Sequence, residues 1–380
     1  MKICTITCHR VYNHGASLQA YGLMKYLKNS GHDVEIIDYR PEYLSNHYRL
    51  SNVANPRWEK NRLLKWTYLT LKLPGRLISL RRKKAFDRFD KKYLSITDTC
   101  YRTNDELKQK PPAAEAYICG SDQIWNSLHQ NGKDPAFYLD FAPSQKIKAS
   151  YAASFATDSI AEPLKKVVKE RVERLDGVAV REKSGVKILR DLGIHRAITV
   201  LDPVFLLDQT EWDKISSGSY KEDYILIYDF DNSELIKKIA LELKELTGYK
   251  IYCVNPGKQR YADKMFRYVG PDSFISLIRD AKFVVSNSYH AAVFSLIYEK
   301  DFVIVNRTEA INTRMRDLLD DLNLNSRLTN HEYKAEELLK KIDYSVVKEM
   351  IKTKKMSSKS YLDQLLVQGM VQHEKSLVRH

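Results

Sequence analysis

The stretch FVVSNSYHAAVFSLIYEKDFVIVNR, residues 283–307, decides how the rest of the chain is read. It opens on an apolar run (Phe283, Val284, Val285), turns through Ser286, Asn287, Ser288 and Tyr289, and enters an apolar segment with His290 at its start. That segment ends near Glu299 and Lys300, and a second apolar run, 302–305, closes on Asn306 and Arg307. Strand, turn, helix and strand in this length make a βαβ unit with parallel strands. Parallel sheets bind ligands outside the carboxyl ends of their strands, so His290 and Arg307 are both expected at that edge.

The alternation continues outward in both directions. Residues 224–229 (YILIYD) and 250–254 read as strands around an amphipathic helix that carries Leu235, Ile236, Ile239, Ala240 and Leu243 and stops at Gly248. A short strand over 267–270 and helices over 271–281 and 312–322 complete that half. Toward the N-terminus, 2–8 is a strand, a loop with Gly15 leads into a helix capped by Ser17 and stopped by Gly31, and DVEIIDY (33–39) is the next strand. Further strands are expected at 116–119, 147–154, 177–180 and 197–201. The fold class is therefore α/β, as two Rossmann-like domains with parallel doubly wound sheets, 1–210 and 211–345. A helical tail, 346–380, is expected to fold back across their junction. With 380 residues, 43% of them hydrophobic, the chain is too long for one ordinary core and rich enough for two.

The net charge of +14 is concentrated: residues 57–92 hold thirteen Lys and Arg against three acids. Within an insert spanning 44–97, two basic amphipathic helices are predicted, interrupted at Pro74 and Gly75. A cationic, aromatic-bearing amphipathic segment suits an anionic membrane surface; a solvated face over an ordinary packing stripe is the alternative. No nucleic-acid-binding module accompanies the charge, so no nucleic-acid partner is expected. The five cysteines are scattered without a CxxC and read as small buried hydrophobes of a reduced, cytoplasmic protein. No run approaches the ~18 apolar residues of a membrane span. There is no Walker loop, HExxH, GxSxG or DxD motif, so the reading requires no metal and no cofactor.

Several residues stand where chemistry is done. Asn13, His14 and Gly15 precede a helix N-terminus, a natural place for an anion or a sugar hydroxyl. Gly120, Ser121, Asp122 and Gln123 follow a strand and offer donors and acceptors to a sugar. Asp122 is read either as a general base or as the N-cap of a short helix carrying Ile124 and Trp125. Ser286, Asn287 and Ser288 form a donor-rich turn suited to phosphate, or simply cap the next helix. Asp202 and Pro203 are read as a strand terminator.

The motifs together resemble the polysaccharide pyruvyl transferase family from about residue 2 to 327. The matching pieces are NHGASLQAYGLMKYLK (13–28) with VEIIDYRP, CGSDQIWN (119–126), KASYAASF (148–155), VREKSG (180–185), LDPVFLL (201–207), VGPDSFISLI (269–278) and SNSYHAAVFSLIYEKDFVIVNR (286–307). The resemblance implies a fold like that of GT-B glycosyltransferases, with the active site in the inter-domain cleft. It further implies ketal transfer of the pyruvyl group of phosphoenolpyruvate, a co-substrate, onto a sugar of a capsular, exo- or cell-wall polysaccharide precursor. The acceptor would be a sugar or lipid-linked oligosaccharide, with the enzyme peripheral on the inner face of the plasma membrane. His290 then becomes the acid or base of the reaction, and Arg181, in VREKSG, the arginine that holds the donor. Better-known members carry an arginine two residues before the histidine, where this chain has Ser288; Arg307, Arg314 or Arg316 would replace it from the facing loop. Two other readings compete: a GT-B glycosyltransferase with a nucleotide-sugar donor, and a non-catalytic glycan- or membrane-binding protein.

Overall fold

The structure is a computed structural model that describes residues 1–44, 61–307, 311–330 and 332–377, leaving aside the side chains of 62–64, 69, 72–79 and 368–377. Residues 45–60, which the sequence places in the basic insert, lie outside this set.

Two parallel sheets organise the molecule. In the first, β1 (Lys2–Ile6), β2 (Asp33–Tyr39), β3 (Ile96–Tyr101), β4 (Ala116–Cys119) and β5 (Ile147–Ser150) lie in the order β3-β2-β1-β4-β5. The pair β6 (Ala179–Val180) and β7 (Ile198–Thr199) continues beside it through bridges from Ala149 to Gly177 and Ala153 to Val180. The second sheet contains β8 (Tyr224–Tyr228), β9 (Lys250–Cys253), β10 (Lys264–Met265), β11 (Phe283–Ser286), β12 (Asp301–Val305) and β13 (Leu328–Thr329), ordered β10-β9-β8-β11-β12-β13. All of its recorded pairings are parallel. The central strands β8 and β11 are buried along their whole length, hence the continuous apolar runs in the sequence. In each sheet the chain winds first one way and then the other, reversing between β1 and β4 and between β8 and β11. Doubly wound sheets open a crevice at such a reversal. Here the two reversals face each other across a cleft, the GT-B-like arrangement expected.

Three local readings change. The first helix is His14–Asn29, not one beginning at Ser17: Asn13, in extended conformation, accepts from the backbone N–H of Gly15 and Ala16 and so starts the helix a turn earlier. The short strand falls at Lys264–Met265 rather than 267–270, because the backbone that finds a partner on β9 lies there. The basic segment forms one helix, Arg62–Tyr93, running through Pro74. An interior proline costs about 3 kcal/mol, and burying Phe86 and Phe89 in the second half offsets it at roughly 2 kcal/mol each.

The final helix, Tyr344–Leu377, crosses from one lobe to the other. At its start, Tyr344 donates to the carbonyl of Lys300; farther on, Ser358 Oγ accepts from the Leu201 N–H at 2.9 Å, and Tyr361 donates to the Ser150 carbonyl at 2.9 Å.

Candidate active site

His290 is the second residue of the helix Tyr289–Ile297, whose N-cap Ser288 accepts from the Ala291 N–H at 3.4 Å. Its Nε2 lies 3.6 Å from Asp202 Oδ2. The opposite edge of the ring rests on Gly15 of the other lobe, where a Cβ would come within 2.0 Å of His290 Nδ1. The glycine of the first loop thus makes room for the histidine of the second domain. Asp202 is the hub behind the ring. Its Oδ2 accepts from Arg181 Nη1 at 2.8 Å and lies 3.2 Å from Ser121 Oγ, while Oδ1 accepts from the Val204 N–H at 3.0 Å. Burial would push this carboxyl up, but His290 and Arg181 together outweigh burial and hold it below the usual carboxylate range.

Four arginines differ in what they do. Arg181 is wholly buried; besides Asp202 its guanidinium lies 4.5 Å from the centre of the Tyr289 ring, and its Nη2 is 3.5 Å from Asp122 Oδ1. Arg314 stands 5.7 Å from the same ring, reaches Asp122 at 3.5 Å, and holds both Nη atoms 2.9 Å from the Gln123 amide, whose oxygen accepts from both when the amide is turned to face them. Burial and the neighbouring Arg181 push Arg314 down to about 10. Arg307, past the end of β12, pairs with Asp231 at 3.1 Å and lies 5.2 Å from the Phe230 ring. Arg316 instead turns outward to Asp158 at 2.8 Å. Of the three candidates for the arginine absent at Ser288, Arg307 and Arg314 border the cleft and Arg316 does not.

The cleft holds a polar cavity of about 70 Å³, walled by Arg307 and Arg314 on one side, Asn287, Ser288, Tyr289 and His290 on another, and Asn13, Asp122, Gln123 and Phe230 around its mouth. Asn13, Asp122 and Gln123 also border a larger pocket of about 340 Å³, whose other walls include Tyr43, Leu44, His129 and Gln130. Asn13, Asp122, Gln123, Phe230, Asn287 and Ser288 follow the ends of β1, β4, β8 and β11, the strands at the two reversals.

Other expected residues are placed elsewhere. His14 is buried between the lobes, stacked on Phe274 at 4.7 Å and hydrogen-bonded to the Tyr228 hydroxyl and the Val269 carbonyl. It is closed off from the cavity, and burial lowers its pKa. Gly120, at φ 122°, has no space for a side chain, since a Cβ would approach the Tyr151 carbonyl oxygen to 2.1 Å. Ser121 is buried among Gln19, Ala152 and Asp202. Ser286 donates to the Tyr228 carbonyl, and Asn287 ties its turn to Phe230 N–H and Asp229. Asp122 caps no helix: its φ is 71°, and residues 122–126 are not helical. Burial would raise its carboxyl, yet Arg181, His290 and Arg314 hold it below the usual range, which makes it a weak base. Asp202, read from the sequence only as a strand terminator, and Tyr289, read only as part of a turn, are central residues here. The one available sign for Asp202 was an acid at a strand end inside LDPVFLL.

A model of the polysaccharide pyruvyl transferase family matches residues 13–309. No curated protein matches the chain. Among solved structures it is similar to spinosyn forosaminyltransferase SpnP, at 11% identity over 100% of both chains with a TM-score of 0.46. It is also similar to a UDP-glucosyltransferase from Polygonum tinctorium, at 9% identity over 98% of both chains with a TM-score of 0.46. A UDP-GlcNAc 2-epimerase from Neisseria meningitidis shares 9% identity over 98% of this chain and 100% of that one, with a TM-score of 0.46. Likenesses at that score carry no argument, so the architecture rests on the strand orders given above. The family match spans Asn13, Asp122, Arg181, Asp202, His290 and Arg307 and stops short of Arg314. The chain belongs to the polysaccharide pyruvyl transferase family and is a transferase.

Proposed function

We propose that this transferase moves the pyruvyl group of phosphoenolpyruvate, as a ketal, onto a sugar of a capsular, exo- or cell-wall polysaccharide precursor. The observation that carries the reading is the small polar cavity in which two guanidinium groups, Arg307 and Arg314, face the His290 turn beside a larger pocket. Phosphoenolpyruvate brings a carboxylate and a phosphate into one site, and guanidinium forks suit both. The larger pocket, lined by Asn13, Gln123, His129, Gln130 and Asn131 with Tyr43 and the carboxylate of Asp122, suits a sugar.

Ketal formation adds one sugar hydroxyl to C2 of the donor while its methylene carbon gains a proton; phosphate then leaves and a second hydroxyl takes its place. Among the described side chains on the cavity, Asp122 is held ionised and has no proton to give. Tyr289 is pushed far up by burial. His290 is left to deliver the proton, with Asp202 stabilising the imidazolium from behind. Arg181 serves as the buried cation that keeps Asp202 and Asp122 in place rather than as a wall of the donor cavity.

Calorimetry with phosphoenolpyruvate tests this. Saturable binding is expected, weakened about 10- to 100-fold in Arg314→Ala, from roughly 1.5–3 kcal/mol per charge-assisted contact, and unchanged in Arg316→Ala. Binding of a nucleotide sugar without binding of phosphoenolpyruvate would overturn the reading.

A further inference from the structure

The helix Arg62–Tyr93 has a cationic face that the transfer reaction does not use. Over residues 80–93 the exposed positions are Arg81, Lys84, Arg88, Lys91 and Lys92, every one a cation. Of the two acids of this segment, Asp90 is buried and pairs with Arg10 at 2.8 Å, and Asp87, at the border of that face with its side chain 37% exposed, is paired with Lys83. The opposite face is anchored, with Phe86 and Phe89 buried and Arg82 donating to the Tyr12 carbonyl at 3.1 Å. Packing therefore leaves only cations among the fully exposed positions of this half of the helix. Earlier on the same helix Trp66 is 67% exposed. It stands eighteen residues before Lys84, about five turns at 3.6 residues per turn, and so on the same side of the helix.

We propose that this face docks the protein on an anionic lipid surface. A row of five exposed cations, bordered by one acid that Lys83 already pairs, matches anionic headgroups, and an exposed tryptophan on that row suits the interfacial region where an indole is half solvated. A polyanion such as nucleic acid or an acidic glycan would use the cations but gives Trp66 no apolar layer to enter. Among the described residues no helix is long and apolar enough to cross a membrane, so attachment is peripheral. Tyr12, held by this helix, belongs to the loop that ends at Asn13, so docking would set the larger pocket close to the lipid headgroups. The proposal is independent of the donor: its failure would leave the phosphoenolpyruvate reading standing.

Flotation of the full chain with phosphatidylcholine vesicles, with and without phosphatidylglycerol, tests it. Binding is expected only with phosphatidylglycerol, with weakening as salt is raised. Each lysine or arginine near an anionic leaflet contributes roughly fivefold to partitioning. On that scale Lys84→Gln with Arg88→Gln should lower binding about 25-fold, and replacing all five exposed cations should abolish it at an unchanged melting temperature. Emission of Trp66, isolated by subtracting the Trp66→Phe spectrum, should shift to shorter wavelength on the vesicles. Full binding by the five-fold variant, no binding by the native chain, or binding to heparin or duplex DNA as tight as to vesicles with no Trp66 shift would each overturn the proposal.

Discussion

Gly15→Ala tests how the two lobes hold His290. Gly15 lies in the first turn of a helix at ordinary negative φ, and alanine there is intrinsically better than glycine by up to about 1 kcal/mol. Taken alone, the substitution should stabilise. The structure reverses the sign, because the new methyl would sit 2.0 Å from His290 Nδ1, 2.3 Å from Cγ and 2.7 Å from Cε1. To restore contact near 3.4 Å the imidazole must retreat by roughly 1.4 Å in a packed interior. Asp202, Tyr289 and the Ser288 cap surround it, so the expected cost is about 1–3 kcal/mol of stability. A displacement of about 1 Å at a reacting group costs about 100-fold in rate, so kcat should fall by at least that much. Binding of phosphoenolpyruvate should change little, since Arg307 and Arg314 are untouched. The assays are urea unfolding, donor calorimetry and single-turnover transfer. Adding His290→Ala should return the stability that Gly15→Ala removes. A Gly15→Ala protein as stable and as active as the native chain would refute the contact and the role built on it.

Two further predictions concern buried titratable groups. Asp202 has its pKa depressed in the folded state, so its stabilisation is present above the ordinary value of 3.8 and is lost as pH falls below it. Asp202→Asn strands Arg181 and should cost about 3–5 kcal/mol near neutrality, a difference that shrinks in acid urea titrations; an equal cost at every pH would refute it. His14 is depressed by burial, so the unfolded chain takes up a proton that the folded one refuses, and stability should decline as pH falls below 6.5. His14→Gln should remove this slope, which approaches about 1.4 kcal/mol per pH unit, in urea unfolding compared at about pH 7.5 and 5.5.

Much of the scaffold was legible in the chain. Apolar runs at 224–228 and 302–305 read as strands because both their faces are buried, and Gly248 ends its helix at φ 72° as a glycine stop should. The histidine turn after β11 was found for the same reason, since a strand end running into a helix start is a local pattern. What failed was settled at a distance. Whether Asn13 or Ser17 starts the first helix turns on one side chain reaching two N–H groups, and whether Pro74 breaks a helix turns on what its second half buries.

The amino-acid sequence by itself determined the two runs of alternating strand and helix, the cationic segment, and the positions of His290, Arg307 and Asp122 at strand ends. Periodicity and turn chemistry act between residues a few positions apart, and such signals survive in a linear reading. Only the tertiary structure decided that Gly15 makes room for His290, that Asp202 lies against both His290 and Arg181, and that Arg307 and Arg314, but not Arg316, line the cavity with Ser288. Each of those pairings joins residues far apart in the chain. Its strength comes from burial, within one lobe for Arg181 and Asp202 and between the two for His290 with Gly15 and Asp202, which no local pattern encodes.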